Sequence, residues 1–187
     1  MSSLPSAFLS TFRDAQHALF HLTGSRECTP LGADDLPPVP RKLLAHRGHM
    51  TAVLQSHFGG PVQLHVHGER LTGAAYKRHI TLTLPDRPEV LEYGVVRIHL
   101  AYLSDAVRQE ILAHAAPLGR ILIEHQVLRR VEPLHYVKIP AAGEVMRQFA
   151  TAQHPALLPE HDVYGRLAVI HCNEQPAIEL LETVTEL

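Results

Sequence analysis

An arginine and a glutamate in this sequence fall on the apolar side of their strands. In "RHITLTL", Ile80, Leu82 and Leu84 alternate with His79, Thr81 and Thr83, and Arg78 has the parity of Ile80. In "AIELLETV", Ile178, Leu180 and Val184 share one parity with Glu182, while Glu179 points the other way with Ala177 and Thr183. Successive strand side chains face opposite sides of a sheet, so Arg78 and Glu182 are expected to face the core if neither strand bulges. Burying an unpartnered ion costs several kcal/mol. One arrangement that meets this cost pairs the two residues with each other or leaves them at strand ends near water. The other places them around a small cavity with a polar ligand between them. Arginine offers a planar fork of donors suited to a carboxylate. Glutamate accepts from a hydroxyl or, if burial raises its pKa, carries a proton.

A second stretch, "AAPLGRIL" from 115 to 122, interrupts a helical pattern with Pro117 and Gly119. Glycine commonly ends helices. It also lets backbone N–H groups come close to a ligand. Both readings are open on these residues alone. The 15 histidines raise the question of a metal. His65 and His67 in "QLHVHG" share a strand face, but that supplies two ligands where a catalytic zinc takes three, and no HExxH occurs. No metal is expected. Cys28 and Cys172 form no CxxC pair and read as two reduced thiols.

The elements that must position these residues follow from periodicity. "SAFLSTFRDAQHALFHLTG" puts Phe8, Phe12, Ala15, Leu19 and Leu22 on one helical stripe, with Gly24 as the stop. "ECTPLGADDLPPVP" reads as a loop. "RKLLAHRGHMTAVLQSHFGG" reads as helix, with Gly48 as a break and Gly59-Gly60 as the end. From Pro61 the period becomes two: "VQLHVH", then "RHITLTL" and "VLEYGVVRIHLAYL" joined at "PDRP" as a hairpin. "SDAVRQEILAHAA" is a helix capped by Ser104. "RILIEHQVL" and "HYVKIP" read as strands, "GEVMRQFATA" as a short helix, and "GRLAVIHCNEQPAIELLETV" as a final hairpin turning near Asn173. The pattern predicts an α+β single domain over 1–187, with one antiparallel sheet and helices packed around it. Residues 1–40 would hold the N-terminal helix and proline-rich loop, and 41–187 the core.

The chain of 187 residues can bury such a core without staples. A formal net charge of -2, without long runs of one sign, argues against nucleic acid as the partner. No apolar stretch is long enough to span a bilayer, and the first residues lack a signal peptide's basic start and apolar run, so a cytoplasmic protein without a membrane partner is expected.

Four motifs, in order, carry a family resemblance. "LLAHRGHMT", "YKRHITL", "PLGRIL" and "QPAIELLETV" resemble those of the chorismate pyruvate-lyases that make 4-hydroxybenzoate for ubiquinone biosynthesis. The similarity runs from Leu43 to Val184. It looks like a diverged branch: "EYGVVRIHL" has a glycine near the position where many members begin arginine-threonine, and the segment between "PLGR" and the last strand is longer.

The resemblance implies a chorismate lyase-like fold and a small aromatic or cyclohexadiene carboxylate as ligand. It implies that Arg78 binds the ring carboxylate and Glu182 meets the ring hydroxyl. Met50 would supply a backbone contact and part of an apolar wall. Leu118 would offer a backbone group beside Gly119, where the missing side chain allows close approach. "PLG" would then be a ligand-facing turn. The implied reaction eliminates pyruvate from chorismate and needs no cofactor, in keeping with the absence of a GxGxxG or P-loop motif. The enolpyruvyl carboxylate would need a second cation, for which neither Arg120 nor Lys77 is a good candidate. Two other readings stay open: a non-catalytic module of the same fold that binds such carboxylates, and a lyase acting on a related cyclic carboxylate.

Overall fold

Long runs of β-branched and leucine residues, punctuated by short polar turns, build seven strands. The computed structural model describes residues 12–149 and 159–185. The strands are β1 (Thr29–Leu31), β2 (Gln63–Thr72), β3 (Ala75–Leu84), β4 (Arg87–His99), β5 (Arg129–Ile139), β6 (Val163–Cys172) and β7 (Gln175–Val184). They form one antiparallel sheet in the order β1-β5-β6-β7-β4-β3-β2. The last hairpin turns at Asn173 and Glu174, both with positive φ (50° and 65°), as the tight turn between twisted strands requires.

Six α-helices cover both faces among the described residues: α1 (Ala15–Thr23), α2 (Pro38–Leu44), α3 (Met50–Phe58), α4 (Asp105–Leu112), α5 (Leu118–Glu124) and α6 (Glu144–Arg147). The protein is thus α+β, with a central sheet. Leu19 and Leu22 of α1 and Val145 and Met146 of α6 pack on Val95, Leu167 and Leu181 at the back. Helices α2 and α3 bury Leu43, Leu44, Met50 and Leu54 against Ile80, Leu82 and Val184 at the front. Helices α4 and α5 bury Val107, Ile111, Ile121 and Leu122 against Val96, Ile98 and Leu180 on the same face. Among the described residues no helix is long and apolar enough to cross a membrane.

Several elements differ from the sequence expectation. The first helix begins only after Asp14, whose carboxylate accepts from the His17 N–H; Phe12 precedes it but is buried, and Phe8 lies outside the described residues. Gly24 ends α1 in the left-handed conformation, and Gly59 ends α3 likewise. The segment expected to be all loop contains β1, an edge strand paired to β5, and the start of α2 at Pro38. "RILIEHQVL" is not a strand: α5 spans Leu118–Glu124. Its buried residues Ile121 and Leu122 meet the helical spacing from Leu118, whereas Ile123, which suggested alternation, is exposed.

The back face also buries Glu179. Its carboxylate lies 2.9 Å from His21 Nε2, 3.4 Å from His99 Nε2 and 3.5 Å from Arg97. Burial pushes its pKa up, but hydrogen bonds from His21 and His99 outweigh this and hold it at about 2. An unfolded glutamate titrates near 4.3. The stability linked to this ionisation is therefore complete above that value and is lost as pH falls toward 2. It is worth about 3 kcal/mol. Urea unfolding at pH 7 and at pH 3 should show Glu179→Gln less stable at neutral pH and much less sensitive to acid. Equal acid sensitivity of the two proteins would refute this assignment.

Candidate functional site

Cross-strand pairing sets residues on the front face in rows. Arg78, Val96 and Leu180 form one row, and Ile80, Gly94, Glu182 and Arg166 form the next. The strands are in regular register between Arg78 and Leu82 and between Ile178 and Val184, so the parity expected from sequence holds there. Arg78 and Glu182 thus lie two strand spacings and two residues apart, roughly 12 Å between backbones. Between them is a cavity of about 40 Å³, lined also by Met50, Leu118 and Gly119. The structure therefore brings all five residues singled out from sequence around one space.

Arg78 is 1% exposed. Among the described residues it has no carboxylate within ion-pairing distance. Its Nη1 reaches the Ile111 carbonyl at 3.5 Å, its guanidinium also interacts with the Tyr76 hydroxyl, and its Nε has no hydrogen-bond partner. Glu69 faces it in register on β2, but that carboxylate accepts from Tyr76 (2.5 Å) and His114 (2.9 Å). A guanidinium stays charged in a protein. Arg78 is therefore a buried cation with one unmatched donor, its Nε, and no carboxylate in direct contact among the described residues.

Glu182 is not paired with Arg78, as one sequence reading had it. It accepts from Arg166 Nε at 2.5 Å. Arg166 is also 1% exposed and donates to the carbonyls of Leu44 (3.3 Å), His46 (2.8 Å) and Gly48 (3.2 Å). One side chain thus fixes Glu182 and ties the loop between α2 and α3 to the sheet. That loop delivers His49 and Met50 to the cavity wall. Arg166 was not singled out from sequence, although it has the parity of Ala168 and Ile170.

Glu92 is a second unanticipated residue on the wall, 3% exposed. It has the parity of Gly94 and Val96 and faces Leu82 across the ladder. Its Oε2 has no hydrogen-bond partner. Burial first, and the Glu182 charge second, push its pKa well above the carboxylate range, against the pull of Arg166. Gly94 leaves room beside it: a Cβ there would lie 2.9 Å from Ile80 Cδ1 and 3.2 Å from Glu92 Oε1.

The "PLG" stretch starts a helix and is neither a helix end nor an isolated turn. Pro117 is the N-cap of α5, and Leu118 and Gly119 are its first residues. Pro117, Leu118 and Gly119 all line the cavity. The close approach at Gly119 is made to protein: a Cβ would meet His49 Cβ at 3.0 Å and Cγ at 3.2 Å. Gly119→Ala gains up to about 1 kcal/mol in helix propensity. Overpacking costs about 1–3 kcal/mol, and His49 Cβ is bonded to the backbone and cannot swing aside. The variant is expected to melt below wild type and to narrow the cavity; a higher melting temperature would contradict the packing argument.

His49 is half-buried, and burial together with Arg129 lowers its pKa to about 4. It accepts from Arg129 Nε at 2.6 Å. On the far side of His49, Arg47, Arg129 and Arg130 line an open cleft. Arg120 is exposed and pairs with Glu124 at 2.7 Å, and Lys77 has the opposite parity to Arg78. His65 and His67 turn away to Thr83 (2.9 Å) and Thr81 (2.7 Å). Among the described residues no group of His, Cys, Asp or Glu is placed to hold a metal. Cys28 and Cys172 are free thiols that burial pushes up to about 11.

No protein-family model and no curated protein matches the chain. Among solved structures it is similar to the ligand-binding domain of a protein described as a GntR-family transcriptional regulator from Bordetella bronchiseptica. The identity is 11%, over 68% of this chain and 84% of that one, with a TM-score of 0.44.

Proposed function

We propose that the front-face cavity binds a small ring carboxylate and that the protein is a chorismate lyase-like enzyme releasing pyruvate to leave 4-hydroxybenzoate. The observation that carries this reading is Arg78, a buried guanidinium with an unpartnered Nε at the cavity and no carboxylate of its own among the described residues. A ligand carboxylate would satisfy both its charge and its fork of donors. Glu182, across the cavity, would accept from a hydroxyl opposite that carboxylate. Met50 and Leu118 would form walls, and the domain as a whole, 1–187, would serve this one site.

The cavity as it stands holds about three waters. An aromatic ring needs more room, so the walls must give. Met50 suits that, because its thioether side chain repacks readily. The arginines beyond His49 would draw in a dianion and offer positive charge to its second carboxylate.

In chorismate an enolpyruvyl ether neighbours the ring carbon that bears the hydroxyl. Breaking the ether C–O bond and removing that carbon's proton makes the ring aromatic. Protonating the released enolpyruvate gives pyruvate. The reaction runs downhill, and the protein's task is to bind, orient and exclude water. This scheme calls for no cofactor. Glu182, already bonded to Arg166, is better suited to orienting the hydroxyl than to taking a proton. The same bond favours a second reading, a non-catalytic carboxylate-binding module.

Incubation of the purified protein with chorismate separates the readings. Pyruvate and 4-hydroxybenzoate should appear together in equal amounts. Binding of 4-hydroxybenzoate without pyruvate release would leave the binding module, and neither would end both. Glu182→Gln keeps an acceptor oxygen and should retain much of the turnover. Collapse of turnover with binding preserved would make Glu182 a base.

A further inference from the structure

We propose that Glu92 determines which ring carboxylate the cavity takes, donating its carboxyl proton to the oxygen that lies across the ring from the ligand carboxylate while Glu182 accepts that oxygen's own hydrogen. This deepens the ring-carboxylate reading and rests on it. Two unpartnered polar atoms on buried side chains line the cavity wall, Arg78 Nε and Glu92 Oε2. Each marks a place where a ligand atom completes a hydrogen bond, since such groups are rarely left unmade.

The three acidic and basic groups at this end of the cavity divide their roles by position. Glu182 sits opposite Gly94, and Glu92 lies two residues before Gly94 on β4. Arg166 bonds to Glu182 and spends its remaining donors on backbone carbonyls. Its single charge is therefore matched by a single carboxylate. A second buried carboxylate beside the first stays protonated, and burial and the Glu182 charge both push Glu92 that way. A carboxylic acid held neutral in an apolar wall is a hydrogen-bond donor. The wall then offers one donor, Glu92, and one acceptor, Glu182, to the same ligand atom.

A hydroxyl satisfies both. A ring-conjugated amine donates but accepts poorly, and a methoxy group accepts but cannot donate. The wild-type protein should therefore bind 4-hydroxybenzoate about tenfold more tightly than 4-aminobenzoate or 4-methoxybenzoate, the size of one hydrogen bond made or left unmade. Glu92→Gln keeps a donor at the same place and should keep the preference for hydroxyl over amine. Glu92→Leu removes the donor and should reduce that preference about tenfold.

Calorimetric titration of the three benzoates into the wild type and both variants tests this. Equal affinity for hydroxyl and amine in the wild type overturns the proposal, as does an unchanged ratio in Glu92→Leu. Should Glu92→Leu fail to fold, the infrared spectrum decides: a protonated-carboxyl band at neutral pH, lost in Glu92→Gln, is expected, and its absence overturns the proposal. The two levels fail differently. If no benzoate binds, or Arg78→Ala binds as well as wild type, the ring-carboxylate reading falls and this one with it. If binding depends on Arg78 but selectivity ignores Glu92, only the role of Glu92 falls.

Discussion

Arg78→Ala is expected to lose two to three orders of magnitude or more in affinity for 4-hydroxybenzoate, while its melting temperature stays near that of the wild type or rises. Removing one member of a buried charge pair costs on the order of 3–5 kcal/mol, and each 1.4 kcal/mol is about a factor of ten. In the proposed complex, that pair would be Arg78 and the ligand carboxylate. In the free protein, Arg78 has no carboxylate partner among the described residues, so its removal also removes a desolvated charge. Binding and stability should therefore part company. Arg78→Lys should recover only part of the affinity, since an ammonium lacks the fork. Calorimetric titration and thermal melting of the three proteins check this. Unchanged affinity in Arg78→Ala takes the residue out of the site.

Arg166→Leu is expected to do the opposite and to cost stability first. Arg166 is as buried as Arg78, but it is fully engaged. Its loss leaves Glu182 without its cation, beside Glu92, and frees three carbonyls of the loop before α3. The cost should be on the order of 3–5 kcal/mol, or about 10 °C in melting temperature for a domain of this size. Adding Glu182→Leu to Arg166→Leu should restore part of that loss, because replacing a buried pair by apolar groups is far milder than breaking it. Thermal melts of the two single variants and the double variant measure the coupling. Additive losses would mean that the pair is not a unit.

The contrast between these arginines also shows what was legible in the sequence. Arg78 stood out because β3 alternates clearly, with His79, Thr81 and Thr83 opposite Ile80 and Leu82. The hairpins were legible for the same reason, and Gly24, Gly59 and Ser104 marked helix boundaries through their backbone and capping chemistry. Arg166 lies in "GRLAVIHC", where every residue from Gly165 to Cys172 is buried. Helices cover both faces of the central strands, so those strands are apolar on both sides and parity carries little contrast. Glu92 and Glu179 were obscured in the same way: each is buried on a face that a helix covers at long sequence distance. The α5 error had a local cause. A short apolar run fits either period, and only the burial of Ile121 and Leu122, with Ile123 exposed, decides for the helix. The five residues the family resemblance picked out do surround one cavity, but the cation that fixes Glu182 and the acid beside it came only from packing.

The sheet order has a consequence for how the protein folds. Strands β2, β3 and β4 are joined by short turns, and β6 and β7 form a tight hairpin with β5 alongside. These pairings are local, apart from the longer link before β6, and can form early. The β4–β7 pairing is not local, because the chain between His99 and Gln175 must close first. Loop-closure entropy makes such a step slow, and it gives the fold its high contact order. Arg78 belongs to the first meander, and Glu182 and Arg166 belong to the second. The cavity thus comes into being only when the two halves meet. A ligand held at both ends would act as a non-covalent crosslink over that seam, binding the joined state and neither half alone. By mass action it would raise stability with each increment of concentration above its dissociation constant. Opening of the β4–β7 seam, read as amide exchange along those two strands, is the motion it would suppress.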